Sequence, residues 1–288
     1  MLEILIGYSL IFTGIIGSGI AGYFDLKTTE VPDVIPLIMC VIGFLLRGIY
    51  AFLSGNWIFL TMPSAVFLGF LGFGFLLYYT GQWGGADAKM LGSIGLLIAI
   101  LPQKLIAFSF FPVWIDYFFN VFFVGAIYTI IYALIMTAIN PKISLKFLED
   151  LRKSKKEIFV FLSFSFCFII IFSFLSGAGI TSIYFGILLF GTYVLFKFLK
   201  VVENVGFKKR IKTKDLKEGD MIDEDVPKLG LKKKLIIGLT KEEVKSIKKI
   251  KKTICIKEGV RFVPVFCIAL IVTLLCGNVL TILVQLIV

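Results

Sequence analysis

The sequence predicts an all-α polytopic membrane protein: about eight transmembrane helices, with a small α+β cytoplasmic module between the last two. Three observations carry this. Of 288 residues, 58% are hydrophobic, phenylalanine alone occurs 31 times, and mean hydropathy is +0.97, far above a soluble domain of this length. Apolar runs approach the roughly 20 residues that an α-helix needs to cross a hydrocarbon core about 30 Å thick. Basic residues gather in alternate connections, as they do in cytoplasmic loops.

The first run covers residues 4–24. It is long and glycine-rich and has no basic n-region, so it reads as a retained helix and not as a cleaved signal peptide. Gly14, Gly17 and Gly22 recur on roughly one face beside Ser18 and Ala21, the pattern of tight helix packing. Further runs follow at 34–53, 58–80 and 88–101. The fourth is short because Pro102, Gln103 and Lys104 interrupt a stretch that continues to about Phe111, and proline removes a backbone donor. The remaining runs are 113–139, 158–176, 179–199 and 263–286. Arg47, inside the second run, reads as a side chain that snorkels towards the outer headgroups.

With eight crossings, the connections 25–33, 81–89, 140–157 and 197–262 share one face and hold 28 of the 30 basic residues. That puts the formal charge of +11 almost wholly on the cytoplasmic side of a multi-pass cell-membrane protein with both termini outside. The long segment 201–262 is lysine-rich and glycine-punctuated, too short for a large core. Within it, Thr240 and Glu243 fit a capping box opening a short helix to about Lys251, and residues 253–265 alternate like a strand. Its aromatics are Phe207 and Phe262, which offer no stacking surface for bases, so no nucleic-acid partner is expected. The chain divides into a membrane core at 1–110, further helices at 111–200, the module at 201–262 and a last helix at 263–288.

Absences narrow the chemistry. Without histidine there is no Ser-His-Asp triad and no HExxH zinc site, and Gly92-Ser93-Ile94-Gly95 becomes a helix-packing face. The five cysteines show no CxxC spacing and read as small apolar packing residues; neither a metal nor a cofactor is expected. Carboxylates at membrane depth remain. Asp25 closes the first run and Asp87 opens the fourth; two full crossings separate them, so both return to the cytoplasmic boundary. Gly81, Gly84 and Gly85 precede Asp87, and glycine admits a substrate backbone where a side chain would obstruct it. Glu3, Glu30, Asp33 and Asp116 read as solvated boundary residues.

Asp25-Leu26-Lys27-Thr28-Thr29-Glu30-Val31-Pro32-Asp33, paired with Gly84-Gly85-Ala86-Asp87-Ala88-Lys89, resembles the prepilin and preflagellin peptidases, the GxGD-type aspartic membrane proteases, and most of all their archaeal branch. Asp25 precedes a basic residue and a Val-Pro element, as in that family, and Gly84 and Asp87 map onto GxGD. Ala86 stands where the motif has glycine, and the resemblance covers mainly the first 110 residues. It implies an endopeptidase that removes a short basic leader from type IV pilin-like or archaellin precursors at the cytoplasmic face of the bilayer. Asp25 and Asp87 would share a proton and activate water. Asp87, at a helix N-terminus, is then expected as base and Asp25, at a C-terminus, as the protonated partner. Gly84 and Gly85 would admit substrate, with Glu30 and Asp33 attracting the leader. Two readings compete: an ion- or proton-coupled transporter using the same aspartates, and an assembly factor without activity.

Overall fold

A computed structural model describes all residues but 108, 178, 234–237 and 288, and no side chain at 176, 284, 286 or 287. In chain order the helices are α1 Leu2–Thr28, α2 Val34–Ser54, α3 Ile58–Tyr79, α4 Gly85–Ile98, α5 Val113–Ile139, α6 Pro141–Lys153, α7 Lys155–Ser176, α8 Gly179–Val201, α9 Lys241–Ile250, α10 Pro264–Cys276 and α11 Val279–Ile287. Two strands, β1 Lys208–Lys212 and β2 Thr253–Lys257, pair antiparallel with Lys208 opposite Lys257. This is a membrane protein: among the described residues, α1, α2, α3, α5, α7 and α8 are long and apolar enough to cross a bilayer.

The other two predicted crossings are shorter pieces. α4 has 14 residues, about 21 Å at the α-helical rise, against a core of about 30 Å. The run at 263–286 breaks at Gly277 and Asn278, where Gly277 adopts φ 70, ψ −137, leaving α10 and α11. Asn120 of α5 stitches this break. Its Nδ2 donates to the Thr273 hydroxyl at 2.9 Å and to the Gly277 carbonyl at 2.7 Å, and its Oδ1 accepts from the Val279 amide at 3.1 Å. Asp116, expected at a solvated boundary, is instead buried at 2% exposure, its carboxyl meeting the side chains of Ser109 and Asn278.

Two compact units divide the chain. One comprises Met1–Thr129 and Val260–Val288, and the other Ile130–Lys234 and Gly238–Gly259. In the first, α4 is the core element: Ala88, Met90, Leu91, Ile94, Leu96, Leu97 and Ile98 are all fully buried. Small residues let its neighbours close on it. A Cβ on Gly74 of α3 would lie 2.6 Å from the Ala88 Cα, and one on Gly95 would lie 2.6 Å from the Phe70 ring. The glycine face of α1 packs the same way, Gly17 against Met39 and Gly22 against Pro264, whose Cα would lie 3.1 Å from a Cβ at Gly22.

Arg47 corrects the snorkelling expectation. It is 3% exposed and points inward, donating to the Leu97 and Ile100 carbonyls at 2.8 Å each. The reason is the shortness of α4. Its last carbonyls have no partner within the helix, and where lipid replaces water an unsatisfied carbonyl is costly. A guanidinium with several donors satisfies one of them, that of Leu97, together with the Ile100 carbonyl just beyond the helix, and faces the negative end of the helix dipole.

In the second unit, α7 and α8 form a helical hairpin in which Gly186 closes on Ile169. α6 lies where the sequence predicts a loop; its charges concealed an amphipathic helix that buries Ile143 and exposes Leu145 and Leu148. The lysine-rich segment between α8 and α10 has its own core of Leu216, Ile222, Val226, Leu239, Val244, Ile247, Ile254 and Ile256. The Thr240 and Glu243 capping box is present at the start of α9. The strand is shorter than 253–265, because β2 ends at Lys257 where its partner β1 begins.

Candidate active site

Asp25 lies one turn from the end of α1, where Thr29 takes a left-handed conformation at φ 59 and its amide caps the Asp25 carbonyl at 2.9 Å. A carboxylate at a helix C-terminus faces the negative end of that helix. Contacts from a distant part of the chain offset this. The Val263 amide donates to Asp25 Oδ2 at 3.0 Å, and Val263 is the N-cap of α10, so the carboxylate also faces the positive end of a second helix. The Arg261 guanidinium lies within electrostatic range of Asp25 and donates to the Leu26 carbonyl.

Asp87 is the third residue of α4, and its Oδ2 accepts the Gly84 amide at 2.8 Å. The turn before it needs glycine at Gly81, whose φ of 75 strains any L side chain. Gly84 is extended, at φ −79, and matters for space: a Cβ there would sit 3.3 Å from Asp87 Oδ2. Gly85 has ordinary room, since a Cβ there would lie 3.8 Å from the Tyr78 ring.

Asp25 and Asp87 are each 7% exposed and lie within electrostatic range of one another. The fold thus brings together two acids 62 positions apart in one low-dielectric site, where both cannot readily ionise. Helix ends alone separate their roles less than the sequence suggests, since each accepts an amide at the start of a helix. Asp33 and Glu30 lie on the exposed loop between α1 and α2; Asp33 pairs with Lys89 of α4 at 2.6 Å, and the Glu30 carbonyl accepts from the Thr28 hydroxyl at 2.9 Å.

Residues that sequence reasoning missed complete the surroundings. Trp83, next to Gly84, stacks on Phe122 with centroids 5.9 Å apart and meets Phe262 at 5.7 Å and Phe266 at 5.6 Å. The Arg261 carbonyl accepts from the Tyr128 hydroxyl at 2.8 Å. No local signal marks these positions. Val263 acts through its main chain, and Arg261 is one basic residue among many in a lysine-rich stretch.

The type IV leader peptidase family model matches residues 9–138, a span that contains both aspartates. The preflagellin peptidase of Methanocaldococcus jannaschii is 31% identical over 85 residues, covering 30% of this chain and 36% of that protein. The preflagellin peptidase of Methanococcus voltae is 34% identical over 94 residues, covering 33% and 39% respectively. Prepilin peptidase EppA of Methanothermobacter thermautotrophicus is 28% identical over 123 residues, covering 41% and 31%. The chain therefore spans about a third of the length of the curated relatives it matches. No solved structure matches it. A helical membrane core with two buried aspartates and the match over residues 9–138 make this part of the chain similar to the type IV leader peptidase family.

Proposed function

We propose that the protein is a membrane-embedded aspartic endopeptidase that removes the basic leader from type IV pilin-like or archaellin precursors at the cytoplasmic membrane face. The observation that carries this reading is the burial of two carboxylates, Asp25 and Asp87, each 7% exposed and each held by an amide at a helix start, in a chain without histidine. The pair shares a proton. The ionised member draws a proton from water as it attacks the scissile carbonyl and passes that proton to the leaving amine, while the protonated member donates its proton to the developing oxyanion and takes it back as the carbonyl of the new carboxyl group re-forms. No covalent intermediate forms. Gly81, Gly84 and Gly85 carry no side chain that would obstruct an extended substrate backbone before Asp87.

Eight crossings, counting the short α4 as one and the broken pair α10 and α11 together as another, with both termini outside and the lysine-rich module in the cytoplasm, complete the topology we infer, with residues 1–110 as catalytic core. In it the leader stays in the cytoplasm beside Glu30 and Asp33, where Asp33 exchanges Lys89 for a leader cation. The purified chain incubated with a prepilin-like peptide should shorten it at the junction of leader and hydrophobic helix, and Asp25→Asn and Asp87→Asn should each abolish this. Cleavage that survives both substitutions would sink the aspartyl mechanism. Lysine at both Glu30 and Asp33 should raise KM for a basic leader, and an unchanged KM would remove them from substrate binding.

A further inference from the structure

The segment 261–263, outside the family match at residues 9–138, touches the surroundings of both aspartates. Each of its residues is tied down. The Arg261 carbonyl takes the Tyr128 hydroxyl at 2.8 Å, and its guanidinium donates to the Leu26 carbonyl, one of the last four of α1 and so without an intrahelical partner. Phe262 meets Trp83 and fills the space that a glycine leaves on α5, where a Cβ on Gly125 would lie 2.7 Å from its ring. The Val263 amide donates to Asp25. Trp83 precedes Gly84, whose amide holds Asp87.

We propose that Arg261 is a positioning residue for the catalytic pair, locking segment 261–263 onto the end of α1 so that the Asp25 carboxyl is held towards Asp87. This rests on the peptidase reading. Arg261 does two things at once. It satisfies a helix-end carbonyl, which fixes where Val263 presents its amide, and it sets a positive charge beside a carboxylate that the α1 dipole disfavours. Without it Asp25 keeps its helix but loses one fixed orientation. A displacement of the order of 1 Å at a catalytic group lowers turnover by about a hundredfold.

The test uses the full chain in detergent. Aspartate is 13C-labelled, and the infrared carboxyl band of Asp25 is identified by its loss in Asp25→Asn. In Arg261→Gln the band should shift and kcat for leader cleavage should fall about 10- to 100-fold with KM unchanged. Arg261→Lys, which keeps one donor and the charge, should restore both, and Phe262→Leu should reproduce the loss in part. A band that stays in place in Arg261→Gln overturns the proposal, as does a raised KM with kcat intact, which would make Arg261 a substrate contact. If the wild-type chain cleaves no precursor, the peptidase reading fails, and the infrared band alone decides whether Arg261 orients Asp25.

Discussion

Replacing Arg47 by leucine removes the two donors that close the C-terminus of α4. The Leu97 and Ile100 carbonyls, each bonded at 2.8 Å, are then orphaned in a buried site. At about 1–3 kcal/mol for each unsatisfied buried group, the loss is about 2–6 kcal/mol. Against it stands relief from burying a guanidinium whose Nε has no partner among the described residues. The carbonyl term wins because the guanidinium already sits in the favourable field of a helix C-terminus, and leucine supplies no donor. The net destabilisation is about 2 kcal/mol, which for a chain of this size lowers the melting temperature by roughly 4–8 °C. Thermal unfolding in detergent, followed by circular dichroism, measures it. Arg47→Lys should fall between wild type and leucine, because one ammonium reaches one carbonyl better than two. A leucine variant with unchanged melting temperature would refute the reasoning and mean that the end of α4 is satisfied by water.

Three further outcomes follow from the packing and charge. Gly74→Ala places a Cβ 2.6 Å from the Ala88 backbone, beside Asp87, and should lower stability by about 1–3 kcal/mol and depress leader cleavage more than that loss of folded protein explains. Asn120→Leu orphans the Gly277 carbonyl and the Val279 amide, at about 1–3 kcal/mol each, and hydrogen exchange should rise at the junction of α10 and α11 before it rises elsewhere. In the module, burial pushes the Asp223 carboxyl up, but Lys208 at 2.5 Å and Lys233 outweigh this and hold it below its ordinary value of 3.8. A depressed folded value means stability that is present above pH 3.8 and is lost as pH falls through the lower folded value, so β1 and β2 should lose protection on acidification. Asp223→Asn should make that protection weaker at neutral pH and flatter with pH.

What the sequence disclosed was whatever local pattern encodes. The limits of α2, α3, α5 and α8 follow from apolar runs bounded by glycine, proline or charge, and the Thr240 capping box is a four-residue signal. Asp25 and Asp87 were legible because acids beside apolar runs are few and the chain lacks histidine. The misses share a cause: they depend on partners far along the chain. Whether an apolar run is crossed or cut at Gly277 depends on Asn120, more than 150 positions earlier. Whether Arg47 faces headgroups or helix ends depends on how far α4 extends, and α6 was hidden because its charges average out the apolar face that periodicity alone reveals. Arg261 and Val263 reach Asp25 across more than 230 positions, one by charge and one by a main-chain amide that any residue but proline would provide.

The central claim, that Asp25 and Asp87 act as one unit on a bound leader peptide, is tested most directly by single-turnover cleavage rates. Wild type, Asp25→Asn, Asp87→Asn and the double variant would be compared on the same prepilin-like peptide. Because a shared proton needs both carboxyls, each single substitution should cost as much as the two together. Partial losses that add up in the double variant, or cleavage that persists in it, would contradict the account.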